Sequence, residues 1–361
     1  MPLRLTRLFA PPALGLVLLA ACNGDSPASG LEGAVPAAPA VVRAKAACDL
    51  YASPRASGHG SGSRARPFKS LERLEHSLGP GQVGCLMPGR YTHRGVVKLD
   101  EPGTTIRSIG RPRATIDGAV WVQPEARGAR IVGVRLTSHD PEFSIPLKVQ
   151  ADGVKLLGND ITAARSISCV LVGSDRTVSN LLIEGNRIHH CGRTGKLDHL
   201  IYLTQSSGAV IRRNLLVDNP GGWAVHMYPN ADGTLVAGNV IDSNQGGVIF
   251  AGSGGGATSD GNVVRGNVIT NSSPRWNIES SWSGGPSGHG NSASRNCLFS
   301  SGRGAPSGLG FTNGFSASGN VVARAPVYVD REAGDYRLRG GSKCAALSGR
   351  AGRAAVRLEG R

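Results

Sequence analysis

The sequence predicts an all-β solenoid, a parallel β-helix with a short N-terminal capping helix. Three observations predict it. Asparagines recur at Asn159, Asn186, Asn214, Asn239, Asn267, Asn296 and Asn320, in steps of 27, 28, 25, 28, 29 and 24 residues. A fixed period in this range marks stacked repeats. Each asparagine stands two residues before an apolar residue, as in GNDI, GNRI and GNVI. A second short alternating run follows in most periods, at Cys169–Val172, Leu200–Leu203, Ala224–Met227, Val248–Ala251 and Asn277–Ser280. Short strands and turns without helical periodicity make one coil of such a helix.

Stacked coils lie about 4.8 Å apart, so equivalent residues form columns. The asparagines form one column. An unpaired buried amide costs roughly 1–3 kcal/mol, so the repeat implies amides bonded to the coils above and below. They read as scaffold and not as a site. In the second strand, Val170, Ile201, Val225, Ile249 and Ile278 are expected to face inward, and so are Val172, Leu203, Met227, Ala251 and Ser280.

The chain opens with a targeting segment, residues 1–22. Arg4 and Arg7 precede an apolar run from Leu8 to Ala21, too short for a good membrane span. The run ends in Leu19-Ala20-Ala21-Cys22, which resembles a bacterial lipobox. That resemblance implies cleavage before Cys22 and a lipid anchor on its thiol. An ordinary signal peptide is the alternative, and either one implies export. Residues 23–47 are rich in Ala, Pro, Gly and Ser and read as a flexible tether.

The repeat domain is expected over 48–345. Phe68, Leu71, Leu74 and Leu78 share one helical face between Pro67 and Leu78, a natural cap for the open end of the solenoid. Irregular first coils follow over 83–150. Beyond Asn320 the repeat fades, and YVDREAGDYRLRGGSKC is expected to close the last coil. Residues 346–361 read as a basic disordered tail.

The G-N-x-[IV] repeats and the entry segment resemble the right-handed parallel β-helix proteins of the pectin-lyase-like superfamily. That segment runs from Cys48-Asp-Leu-Tyr through a Gly/Ser-rich loop and a helix to Pro88-Gly-Arg-Tyr91. The resemblance implies a right-handed helix. It specifies chemistry poorly, because one such fold hosts many functions.

With Cys22 taken by lipid, six cysteines remain, which allow 15 pairings. Chain position suggests Cys48–Cys85 across the N-terminal cap and Cys297–Cys344 at the C-terminal end. Cys169 and Cys191 are 22 residues apart, just under one coil, and could meet between turns. Export favours disulfides over free buried thiols.

The net charge is +15. Removing residues 1–22 takes two Arg and no acids, leaving 38 − 25 = +13. A basic exported protein favours polyanions, here an acidic polysaccharide, with the membrane met through the lipid. No nucleic-acid module is visible, and a monomer is expected.

The outward positions of the second strands gather the candidate site. Leu171, Tyr202, His226, Phe250 and Glu279 are expected in one column, with Tyr228 in the next. His199, Trp223 and Trp276 stand just before their strands. Aromatic faces suit sugar rings, so Trp223, Tyr228, Trp276 and Glu279 are substrate-binding candidates. The insertion RIHHCGRTGKLDH (187–199) adds His189, His190, Arg193, Lys196 and Asp198. Its spacing matches no strong metal motif, so no metal ligand is assigned, and a divalent cation such as calcium stays open as a cofactor.

Elimination from a uronate needs a group to neutralise the carboxylate, a base for the C5 proton and an acid for the leaving oxygen. Tyr202, His226 and His199, with Arg193 or Lys196 overhead, could supply them. The two cations are expected to keep His226 neutral and also to favour a tyrosinate, so either residue could be the base. Glycosidic hydrolysis needs two carboxylates, and Glu279 and Asp198 are expected about 14 Å apart, too far for it. Gly288-His289-Gly290 lacks the paired aspartates of polygalacturonases and reads as a turn. Ser138-His139-Asp140-Pro141-Glu142 only loosely resembles the Asp-Pro-His motif of alginate epimerases. The leading expectation is therefore lyase-type chemistry. The alternative is a non-catalytic glycan-binding or envelope-structural protein.

Overall fold

The structure is a computed structural model that describes residues 47–138, 145–163, 166–192, 198–280, 287–302 and 307–345. Cys22, the targeting segment, Arg193, Lys196 and the basic tail lie outside the described residues, and so does all of the expected tether except residue 47.

The described residues form a parallel β-helix. One sheet has eleven strands, from Leu50–Ala52 to Ser316–Ser318, and a second has fifteen. In the first sheet each coil contributes about three residues, and the middle one points inward. Ile131, Leu156, Ile183, Ile211 and Val236 follow one another in register and are fully buried or nearly so. The second sheet carries two inward-facing stretches per coil. One runs through Leu136, Ile161, Ile188, Leu216 and Ile241, the other through Val170, Ile201 and Val225. One continuous apolar core fills the space between the sheets.

The asparagine column is a hydrogen-bonded ladder. Asn214 Oδ1 accepts from the Asn186 backbone N–H at 2.9 Å and from Asn186 Nδ2 at 3.0 Å. Its own Nδ2 donates to the Ile183 carbonyl and to Asn239 Oδ1, both at 3.0 Å. The pattern repeats from Asn159 to Asn320. The residue before each asparagine takes a left-handed backbone, as at Gly185 (φ 66°) and Gly238 (φ 62°). Glycine adopts it without steric cost.

All three expected disulfides are present, with Cα–Cα distances of 5.7 Å for Cys48–Cys85, 5.5 Å for Cys169–Cys191 and 5.4 Å for Cys297–Cys344. The capping helix is shorter than expected, Leu71–Glu75. Ser70 caps it by accepting from the Arg73 backbone N–H, and Phe68, Leu71, Leu74 and Leu78 are all buried.

Two expectations are corrected. Phe250 does not face outward. It pairs with Met227 and packs inside against Phe315, while Ile249 takes the outward place beside His226. Val248 and not Ile249 continues the inward column, and Phe250 and not Ala251 continues its neighbour. The run Val248-Ile249-Phe250-Ala251 is apolar at every position, so alternation could not tell its faces apart. A bulge between Asn219 and Trp223 shifts the pairing.

The second correction is the C-terminal segment, which does not close the last coil. Tyr328–Asp330 and Asp335–Leu338 form an antiparallel pair. Val327, Tyr328 and Tyr336 pack on the outward residues Leu215, Val240, Val268 and Cys297 of the second sheet. In earlier coils that outward column is polar, with Arg135, Asp160 and Arg187. It turns apolar from Leu215 onward and needs a cover. Arg331 Nε reaches Asp242 Oδ2 at 2.7 Å and ties the cover down.

Loss of one mid-ladder amide strands several buried partners at once. Asn214→Ala should lower stability by about 3 kcal/mol, and Asn320→Ala, at the end of the ladder, by about 1 kcal/mol. Urea denaturation checks both values, and equal effects would contradict the ladder as the source.

Candidate functional site

The outward column of the second sheet runs Trp121, Lys148, Leu171, Tyr202, His226, Ile249 and Glu279 in unbroken register. Tyr202 and His226 are therefore direct neighbours on adjacent coils, as the sequence implies. Their rings stack, 5.0 Å between centroids and 11° between planes. Tyr228 stacks on the same imidazole at 5.5 Å and Trp223 at 5.4 Å. His199, one coil before Trp223, meets His226 edge-on at 4.2 Å. The site is thus a cluster of two imidazoles, two phenols and an indole.

The cluster is far more buried than an outward sheet face suggests. His226 is 3% exposed, Trp223 and His199 each 2%, and Tyr202 and Tyr228 are half-buried. Glycines allow this close packing. A Cβ on Gly246 would stand 2.4 Å from the Trp223 ring, and one on Gly222 would stand 2.7 Å from His199 Nδ1.

Hydrogen bonds link the cluster into one chain. The Trp223 backbone N–H donates to His199 Nδ1 at 3.3 Å, and His199 Nε2 lies 2.7 Å from His226 Nδ1. Trp223 Nε1 donates to Glu279 Oε1 at 2.6 Å. Arg275 completes the chain with a two-pronged ion pair to the fully buried Glu279. The Arg275 guanidinium also sits over Trp223 (5.5 Å), Trp276 (5.1 Å) and Phe311 (6.0 Å).

These contacts correct several expectations. Glu279 is not an outward substrate contact. Burial would cost a lone carboxylate heavily, and Arg275 compensates it. Trp223 holds its indole against Gly246 and the imidazoles, so it is no open platform for a sugar ring. The more accessible aromatic surface belongs to Trp276, to Tyr228 and to Phe311, which is 51% exposed. Phe311 and Arg275 were missed. Phe311 lies in a glycine-rich stretch without repeat signal, and Arg275 could have been noticed only as a cation flanking Trp276.

Electrostatics differ from expectation too. Burial alone pushes His226 down to about 3. His199 is held well below its usual range by burial and then by His226. Tyr202 is pushed up to about 12, by burial first and by Tyr228 second. Neutral imidazoles thus follow from desolvation, and no cation is needed to explain them. A tyrosinate at Tyr202 is disfavoured, contrary to expectation.

His189 and His190 lie apart from this chain. His189 Nε2 lies 2.9 Å from Asp160 Oδ1, and its Nδ1 lies 2.7 Å from His190 Nδ1, on the first stretch of the second sheet. Among the described residues, no group of three or more His, Cys, Asp or Glu could hold a metal ion. Asp198 is buried, and its carbonyl accepts from Asn219 Nδ2.

Comparison with known proteins agrees with this architecture. A family model described as "Right handed beta helix region" matches residues 150–269. Among solved structures, the pectate lyase Pel9A is similar at 14% identity, over 81% of this chain and 90% of that one, with a TM-score of 0.52. A GH136 lacto-N-biosidase from Eubacterium ramulus is similar at 10% identity, over 76% of this chain and 67% of that one, with a TM-score of 0.53. A comparison with curated proteins gives no match. The fold is a right-handed β-helix.

The pH dependence of stability follows from the imidazoles. Their folded values lie below the usual 6.5, so the unfolded chain binds more protons as pH falls. The contribution of His226 is complete above pH 6.5 and is lost progressively toward about 3, and that of His199 is lost in the same direction. Denaturation midpoints measured from pH 7 to 4 should fall, and His226→Gln should flatten the fall. An identical slope in that variant would contradict the assignment.

Proposed function

We propose that this protein is an exported, lipid-anchored β-helix that acts on an acidic polysaccharide, with elimination at the Tyr202–His226 pair. The observation that carries the proposal is the pair itself. A phenol and a buried neutral imidazole stack on adjacent coils of a rigid sheet, edged by the more open aromatic rings of Tyr228, Trp276 and Phe311. The similarity to the pectate lyase Pel9A supports a uronate polymer as the substrate class. The charge of +13 on the chain without residues 1–22 supports a polyanion, and three disulfides support export. The protein is proposed to work as a monomer, without nucleic-acid partners, and to meet the membrane through Cys22.

In this reading Tyr202, protonated at neutral pH, gives its proton to the leaving oxygen. His226 meets the uronate, and His199 supports it. The C5 proton passes to Lys196 in its neutral form as the C4–O bond breaks and the C4–C5 double bond forms, and Arg193 is the candidate cation above the pair. Arg275 is committed to Glu279 and is not that cation.

A second reading, non-catalytic glycan binding, is favoured by one observation. Tyr202 at about 12 and His226 at about 3 both lie far from neutral pH, where an acid–base catalyst works best.

The purified domain, incubated with a panel of polyuronates and glycosaminoglycans with and without calcium, should give absorbance from new C4–C5 double bonds. On a substrate so found, Tyr202→Phe and His226→Ala should each cut turnover by at least about 10²-fold. Trp276→Ala should mainly weaken binding. Binding without cleavage of any polymer would favour the second reading, and full activity in both variants would place the site elsewhere. Cys22→Ser should move the protein out of the detergent phase, and unchanged partitioning would rule out the anchor.

A further inference from the structure

The chain of hydrogen bonds through His199 has a direction. A backbone N–H can only donate, so the Trp223 N–H requires a lone pair on His199 Nδ1. A neutral imidazole with a bare Nδ1 carries its proton on Nε2. His199 Nε2 lies 2.7 Å from His226 Nδ1 and therefore donates to it. His226 Nδ1 is thereby an acceptor, which leaves the His226 proton on Nε2. That Nε2–H is buried and has no hydrogen-bond partner among the described residues.

Protonating His226 would break this order. An added proton on its Nδ1 would face the proton on His199 Nε2. Relieving that clash by moving the His199 proton to Nδ1 would set it against the Trp223 N–H. The relay thus keeps His226 neutral and in one tautomer. A buried donor without a partner is costly in a folded protein and calls for an explanation.

We propose that His226 Nε2–H is a hydrogen-bond donor held ready for a carboxylate oxygen of a bound uronate, and that His199 is the positioning residue that sets this tautomer. The proposal rests on the reading that an acidic polysaccharide binds at Tyr202 and His226. It gives His226 the role of hydrogen-bonding the carboxylate and takes the base role away from its Nε2, which has no free lone pair in this tautomer. A single N–H donor suits an oxygen acceptor, and an anionic oxygen makes the stronger bond.

The test is a tautomer measurement on the full chain labelled with ¹⁵N-histidine. The His226 signals are assigned by their loss in His226→Gln. Wild-type His226 should show a protonated Nε2 and a bare Nδ1 across neutral pH, before any ligand is added. A His226 protonated on Nδ1, or a mixture of tautomers, overturns the proposal whatever the protein does to polysaccharides. His199→Phe removes the donor and should release His226 into a mixture, while His199→Gln, which retains an N–H donor, should preserve the Nε2–H form. An unchanged tautomer in His199→Phe removes His199 from the positioning role. Addition of a saturated uronate oligosaccharide should shift the Nε2–H resonance, and His199→Phe should weaken its binding about tenfold. A neutral oligosaccharide that shifts the resonance equally would overturn the carboxylate as the recognised group. Absence of cleavage with the tautomer confirmed would sink elimination and leave the donor site standing.

Discussion

The buried carboxamide ladder is the constraint on which the rest of this structure depends. Each asparagine ties its own coil to the next through a backbone N–H, a side-chain N–H and a carbonyl. Such a bond set tolerates no slip along the strand, because a shift of one residue would strand polar groups in an apolar interior and turn every side chain to the other face. Coil lengths vary between 24 and 29 residues, yet the ladder returns each coil to the same starting point. Residues far apart in sequence thereby become neighbours in columns.

The candidate site is one product of that alignment. Tyr202 and His226 meet because Ile201 and Val225 stack inside. The neighbourhood is then closed by aromatic rings laid against glycines, and closure sets the chemistry. Burial makes the imidazoles neutral and the phenol hard to ionise. The described charges at the site, Arg275 and Glu279, neutralise one another and hold Trp223 in place. What the cluster presents is therefore directed hydrogen bonding more than net charge. The other stretch of the same coils shows the complementary use of a column. Where its outward residues become apolar at Leu215, Val240 and Val268, the C-terminal hairpin covers them, and Cys297–Cys344 secures the cover.

Much of this was legible in the sequence, for identifiable reasons. The asparagine spacing carries the fold, since few other arrangements satisfy a buried amide once per coil. The stacking of Tyr202 on His226 followed from aligning LIYL with AVHM, where polar and apolar residues alternate cleanly. The three disulfides followed from chain position and coil length. Legibility failed where alternation failed. Val248 to Ala251 are all apolar, so Ile249 and Phe250 exchanged faces. Burial of Trp223 and Glu279 could not be read either, because Trp223 packs on Gly246 of the next coil and Glu279 is matched by Arg275, four residues before it and outside any repeat signal. The docking of the hairpin on the sheet is a contact across 89 residues between Arg331 and Asp242, and no local pattern announces it.

The most direct test of the account is a crystal structure of the protein with a saturated uronate oligosaccharide bound. The account predicts the sugar chain over the Tyr202–His226 column. A carboxylate oxygen should lie within hydrogen-bond distance of His226 Nε2, with His199 still bridging Trp223 and His226. An oligosaccharide seated on another face, with the imidazole untouched, would contradict it.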